Sequence, residues 1–135
     1  MKITRSKTQT SKRGPAEYFT GVVWLDEITV APYDSDVRVV LATFEPGART
    51  AWHTHPHGQL LQILTGAGLV QKNGEAVQEV QPGDVIWFEP GERHWHGAAP
   101  HQRMAHLAVQ RADPAGKTAH WLEQVTDQDY TGAVK

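Results

Sequence analysis

A chain of 135 residues with 13 Lys and Arg against 15 Asp and Glu, a net charge of −2 and 39% hydrophobic residues has the size of one domain. Its near balance of charge excludes the basic footprint of a nucleic-acid-binding protein and offers no basic helix to a membrane surface. No apolar run approaches the roughly 20 residues of a transmembrane helix. The absence of cysteine removes disulfides, zinc ribbons, iron–sulfur clusters and thiol nucleophiles, and Met1 to Arg5 lacks the apolar stretch of a secretory leader, so a cytoplasmic location is expected.

In chain order, residues 1–18 are polar and basic, and read as an arm or an edge strand lent to a partner. Short runs rich in Val, Leu, Trp and Phe follow, bounded by Pro-Gly or Asn-Gly turns. They are Val22 to Leu25, Val37 to Phe44, Gln59 to Leu64, Leu69 to Gln71, Val77 to Val80, Val85 to Phe88, His94 to His96 and Met104 to Val109. Such spacing predicts an all-β sandwich or small barrel over residues 19–113. In the tail, residues 114–135, Thr126-Asp127-Gln128-Asp129 predicts a capped short helix through Tyr130, with Trp121, Leu122 and Val125 packing back on the barrel.

Five of the eight histidines fall in two clusters, His53, His55, His57 and His94, His96. Residues i and i+2 of an extended chain share a face, so His53 and His55 aim at one point. Gln59 presents its amide where the chain turns into the next strand, and His94 follows a Pro-Gly turn. Three neutral imidazoles and an amide oxygen form a set that holds a divalent metal with positions left open; iron, zinc, nickel and manganese all fit such donors. His57, after Pro56, reads as a solvated loop residue, and His101 and His120 as structural or exposed. Trp52 and Trp95 are expected to face away from the ligands and pack. Arg49, Glu89 and Glu92 are turn residues whose default is a solvated charge.

The segment Gly47-(five residues)-His53-Thr54-His55-(three residues)-Gln59-(six residues)-Gly66 resembles the first cupin motif, and Gly83-(five residues)-Glu89-Pro90-Gly91-Glu92-Arg93-His94 resembles the second. Gln59 stands where a glutamate is usual, Glu89 where a proline is, and Ala98 where an asparagine is. The stretches Phe44 to Pro56 and Pro90 to Ala98 are similar to small bacterial cupins that include manganese-dependent hydroxynitrile lyases, a likeness that continues through His106 to Trp121 and Tyr130. The resemblance implies an oligomeric cupin barrel, with manganese at His53, His55, Gln59 and His94 and a role for His106 and His96.

A neutral Gln59 leaves the cation's charge uncancelled, which strengthens its Lewis acidity. His96, two residues after His94, faces the same cavity. On the strand from Met104, His106, Ala108 and Gln110 share one face, and Val40 and Ala42 share a face of their own strand; Val40, Ala42 and Gln110 are the expected substrate-pocket residues. A cavity histidine beside a divalent cation is held neutral and suits the removal of a hydroxyl proton, which makes His106, with His96 as the alternative, the expected base. Three functions are open at this level: a lyase cleaving a cyanohydrin such as mandelonitrile, an iron dioxygenase, and a non-enzymatic small-ligand-binding module. A small-molecule substrate and a homodimer or homotetramer are the expected partners.

Overall fold

The computed structural model describes residues 1–29 and 35–132. In these residues the turn signals cut the chain into short strands: β1 Lys12–Arg13, β2 Phe19–Thr20, β3 Val23–Glu27, β4 Val37–Phe44, β5 Arg49–Thr50, β6 His53–Thr54 and β7 Gln59–Gly66. They continue as β8 Gly68–Lys72, β9 Gln78–Val80, β10 Val85–Phe88, β11 His94–Ala98, β12 Met104–Arg111 and β13 His120–Trp121, before one helix, α1 Asp127–Gly132. Thr126 caps that helix through Oγ1, which accepts from the Asp129 amide at 3.0 Å.

One sheet runs β1-β3-β4-β12-β7-β10 and the other β13-β6-β11-β5-β2, with β8 and β9 added beside β11. All registers are antiparallel. Together they form an all-β barrel. Residues 1–18 include β1, which extends the first sheet of its own chain by pairing Lys12 and Arg13 with Leu25 and Trp24.

Period-two patterning places the core. On β12 the buried positions are Met104, His106, Ala108 and Gln110; on β7 they are Gln59, Leu61 and Ile63. Phe44, Ile63, Met104, Val23 and Ala98 pack between the sheets. A second cluster, Trp52, Trp95, Leu69, Val125 and Tyr130, joins the second sheet to the C-terminal segment, which gives both tryptophans the packing role expected of them. Fully burying such side chains stabilises by about 1.5–3 kcal/mol each. No helix among the described residues is long and apolar enough to cross a membrane.

Arg49 departs from expectation. It is 5% exposed rather than solvated. Its Nη2 donates to the Val125 carbonyl at 2.8 Å and to Asp127 Oδ1 at 2.7 Å, and its guanidinium lies 4.5 Å from the Tyr130 ring centroid. The C-terminal segment folds over the turn and closes it off from water, and the cation is retained because the helix-entry carbonyl and Asp127 compensate its charge.

Candidate metal centre and cavity

The histidine spacing becomes geometry through two devices. β6 pairs with β11 so that His53 stands directly opposite His94. Between His55 and Gln59, Gly58 turns the chain with φ +80°; a Cβ there would lie 2.6 Å from the Trp87 ring and 2.7 Å from the Phe88 carbonyl, so glycine is required. The structure gathers His53, His55, Gln59 and His94 at one end of the barrel, all buried. Ring centroids are 4.9 Å apart for His53 and His55, 4.3 Å for His53 and His94, and 5.4 Å for His55 and His94.

Each of the three imidazoles has its Nδ1 on a backbone carbonyl: His53 on Ala51 at 2.8 Å, His55 on Thr118 at 2.7 Å and His94 on Glu92 at 2.8 Å. With Nδ1–H donating, a neutral ring leaves Nε2 a bare lone pair, the tautomer that coordinates a metal. His55 Nε2 is buried with no hydrogen-bond partner. Gln59 donates its Nε2–H to Gln110 Oε1 at 3.0 Å, its register partner on β12. That turns Gln59 Oε1 toward His94 Nε2, 3.2 Å away. Burial pushes His94 down to about 3, so at neutral pH two lone pairs face each other with no proton between them. A cation resolves that conflict, and the donor set fits a divalent metal.

His96 adds a second relation. The ring nitrogens of His53, His94 and His96 come within 4.8 Å of one another, a buried three-histidine cluster suited to a divalent metal. Ring centroids nevertheless rank His55 ahead of His96, which lies 5.3 Å from His53 and 5.9 Å from His94. His96 also has a partner of its own: its Nδ1 is 3.0 Å from His106 Nε2. The outer nitrogens of that pair, His96 Nε2 and His106 Nδ1, are both buried without partners.

All five histidines are held neutral. Burial is the first cause in each: it carries His53 and His96 well below the ordinary imidazole value, His106 to about 4, and His55 downward against the opposing Thr118 carbonyl. Neighbouring imidazoles add to the depression of His53 and His96.

A cavity of 660 Å³ opens onto His53, His55, Gln59, His96 and His106, a size suited to a small organic molecule. Val40, Ala42, His106 and Gln110 line it from the first sheet and His96 from the second. Histidines 57, 101 and 120 are exposed, His120 at the cavity rim. Three contacts escaped the sequence reading. The Thr118 carbonyl orients His55, the Phe88 ring stacks on His94 at 3.6 Å and 12°, and Trp121, expected only to pack, also lines the cavity with its ring centroid 4.6 Å from that of His53. None carries a local signal, because each joins residues that meet only through the barrel's closure.

Comparison with known proteins agrees with this architecture. The cupin domain family model matches residues 40–109. An (R)-mandelonitrile lyase from Granulicella tundricola is 54% identical over 131 residues, spanning 96% of this chain and 98% of that protein. A cupin-like protein from Thermotoga maritima superposes with a TM-score of 0.84 at 36% identity, covering 90% of this chain and 91% of the other. The polyketide cyclase RemF from Streptomyces resistomycificus shares the fold at 17% identity, with a TM-score of 0.75 over 100% of this chain and 94% of that one.

Proposed function

This chain belongs to the cupin family, and we propose that it is a metal-dependent hydroxynitrile lyase, cleaving a cyanohydrin such as mandelonitrile reversibly to an aldehyde and hydrogen cyanide. What carries the reading is the pairing, in one cavity, of a neutral metal-binding donor set with a hydrogen-bonded His96–His106 dyad whose outer nitrogens are both unpartnered. The full-length likeness to a mandelonitrile lyase supports it.

We assign the metal to His53, His55, Gln59 and His94, and take manganese as the ion. When bound, a divalent cation with only neutral ligands supplies Lewis acidity for the negative charge that develops on oxygen or on departing cyanide. The chain's own residues move the proton. In a pair of neutral imidazoles sharing one hydrogen bond, one outer nitrogen is a lone pair and the other an N–H. We assign the accepting end to His106. His96 lies against the rings of His53 and His94, so positive charge there is disfavoured more strongly than on His106, one ring further away.

The cyanohydrin hydroxyl proton then passes to His106 Nδ1. The inner proton shifts from His106 Nε2 to His96 Nδ1, and the carbon–carbon bond breaks with its electron pair on cyanide. His96 Nε2–H protonates that carbon, releasing aldehyde and hydrogen cyanide with atoms and charge balanced. Leu25, Val40 and Trp121 hold the organic group against the cavity wall.

A cytoplasmic homodimer or homotetramer completes the proposal. Supporting association, the outward face of the six-stranded sheet leaves Trp24, Leu60, Leu64, Val85 and Trp87 exposed. The test of the function is benzaldehyde release from mandelonitrile by manganese-loaded protein and by the same protein after chelation. Metal-dependent release is expected; no release from fully loaded protein refutes the lyase assignment.

A further inference from the structure

The charge of the cavity says more about its substrate than its shape does. Among the described residues that line it there is no Asp, Glu or Arg, and Lys117 is its one lysine. Lys117 stands on a loop at the rim whose backbone is fixed. Asp113 Oδ1 accepts from the amides of Ala115 at 2.9 Å and Lys117 at 2.8 Å. The Asp113 amide donates to the Lys117 carbonyl at 2.7 Å. The next residue, Thr118, orients His55 through its carbonyl, so Lys117 is anchored one residue from a contact with the histidine cluster.

The ammonium is not spent elsewhere. Lys117 is exposed and forms no ion pair among the described residues. Asp113, four residues away, uses its Oδ1 on the loop's amides. A positive group over a cavity wall without a carboxylate attracts anions, and the anion that a carbonyl compound or its cyanohydrin most readily carries is a carboxylate. Leu25, Val40 and Trp121 offer apolar contact to the skeleton joining that carboxylate to the reacting carbon.

Within the lyase reading, we infer that this cavity selects carbonyl compounds and cyanohydrins bearing a carboxylate remote from the reacting carbon, and that Lys117 is the specificity-determining residue that pairs with it.

The experiment compares manganese-loaded wild type, Lys117→Met and Lys117→Glu on mandelonitrile and on the cyanohydrin of 4-carboxybenzaldehyde. Calorimetric titrations with 4-carboxybenzaldehyde and with benzaldehyde, without cyanide, run in parallel. The ratio of kcat/KM for the carboxylated over the parent substrate is expected to fall about three- to tenfold in Lys117→Met through KM, and further in Lys117→Glu. Raising salt to about 0.5 M should shrink the wild-type ratio. A ratio unchanged by either substitution overturns the inference, as does an equal loss on both substrates, which would mean that Lys117 acts on cyanide or on the loop. If neither substrate is cleaved, the lyase reading falls by itself and the titrations decide. Tighter binding of the carboxylated aldehyde that disappears in Lys117→Met upholds the anion site, and equal binding of the two aldehydes overturns it.

Discussion

Lowering the pH of the metal-free protein should unfold it sharply, because its site is built from histidines that must stay neutral. Burial holds His94 at about 3 and His106 at about 4, and drives His53 and His96 well below their ordinary value. The unfolded chain titrates these groups near 6.5, so below that pH it binds protons that the native state refuses. Their contribution is therefore complete above about pH 6.5 and is lost as the pH falls. Each costs about 1 kcal/mol between pH 6.5 and 5.5, and about 1.4 kcal/mol per unit below that until its own native value is reached. Four such groups remove about 4 kcal/mol over the first unit, against a total of roughly 5–15 kcal/mol for a domain. Carboxylates titrate near 4 and contribute little in this window.

Urea titrations of chelated protein at pH 6.5 and 5.5, followed by tryptophan fluorescence, measure the loss directly. A saturating metal binds the native state and keeps Nε2 unprotonated, so the same protein with excess manganese should hold its structure to lower pH. A stability difference under about 1 kcal/mol for the chelated protein between the two pH values would refute the claim that the native state keeps these imidazoles unprotonated.

Three further outcomes follow from the same geometry. Replacing His106 with Ala should lower mandelonitrile turnover by about 10²-fold or more while the manganese content, measured by elemental analysis, stays at the wild-type level. Replacing Gln59 with Glu should retain or tighten metal binding yet depress kcat, since the anion cancels charge that the departing group needs; a rise in kcat would contradict the Lewis-acid argument. Replacing Arg49 with Met leaves the Val125 carbonyl short of its donors and should cost about 2 kcal/mol or more in denaturant unfolding, with proteolysis near the C-terminal helix as the first visible consequence.

Much of this protein was legible in one dimension. Turn chemistry and period-two alternation were enough to outline β4 at Val37–Phe44 and β10 at Val85–Phe88, because Pro-Gly turns and strand alternation are local physics. The same alternation was enough to put His106, Ala108 and Gln110 on one face, and the spacing of His53, His55, Gln59 and His94 already suggested a common point. What the alternation could not say is which faces meet. His96 and His106 are ten residues apart on strands of different sheets, and only closure of the barrel turns two isolated imidazoles into a 3.0 Å dyad. Arg49 looked like a surface charge until a segment 76 residues later folded over it, and the carbonyl that orients His55 comes from 63 residues further along the chain. Local sequence dictates conformation and facing; burial, tautomer and the charge a cavity presents are set by distant segments arriving at the same place, and are therefore decided only by the tertiary fold.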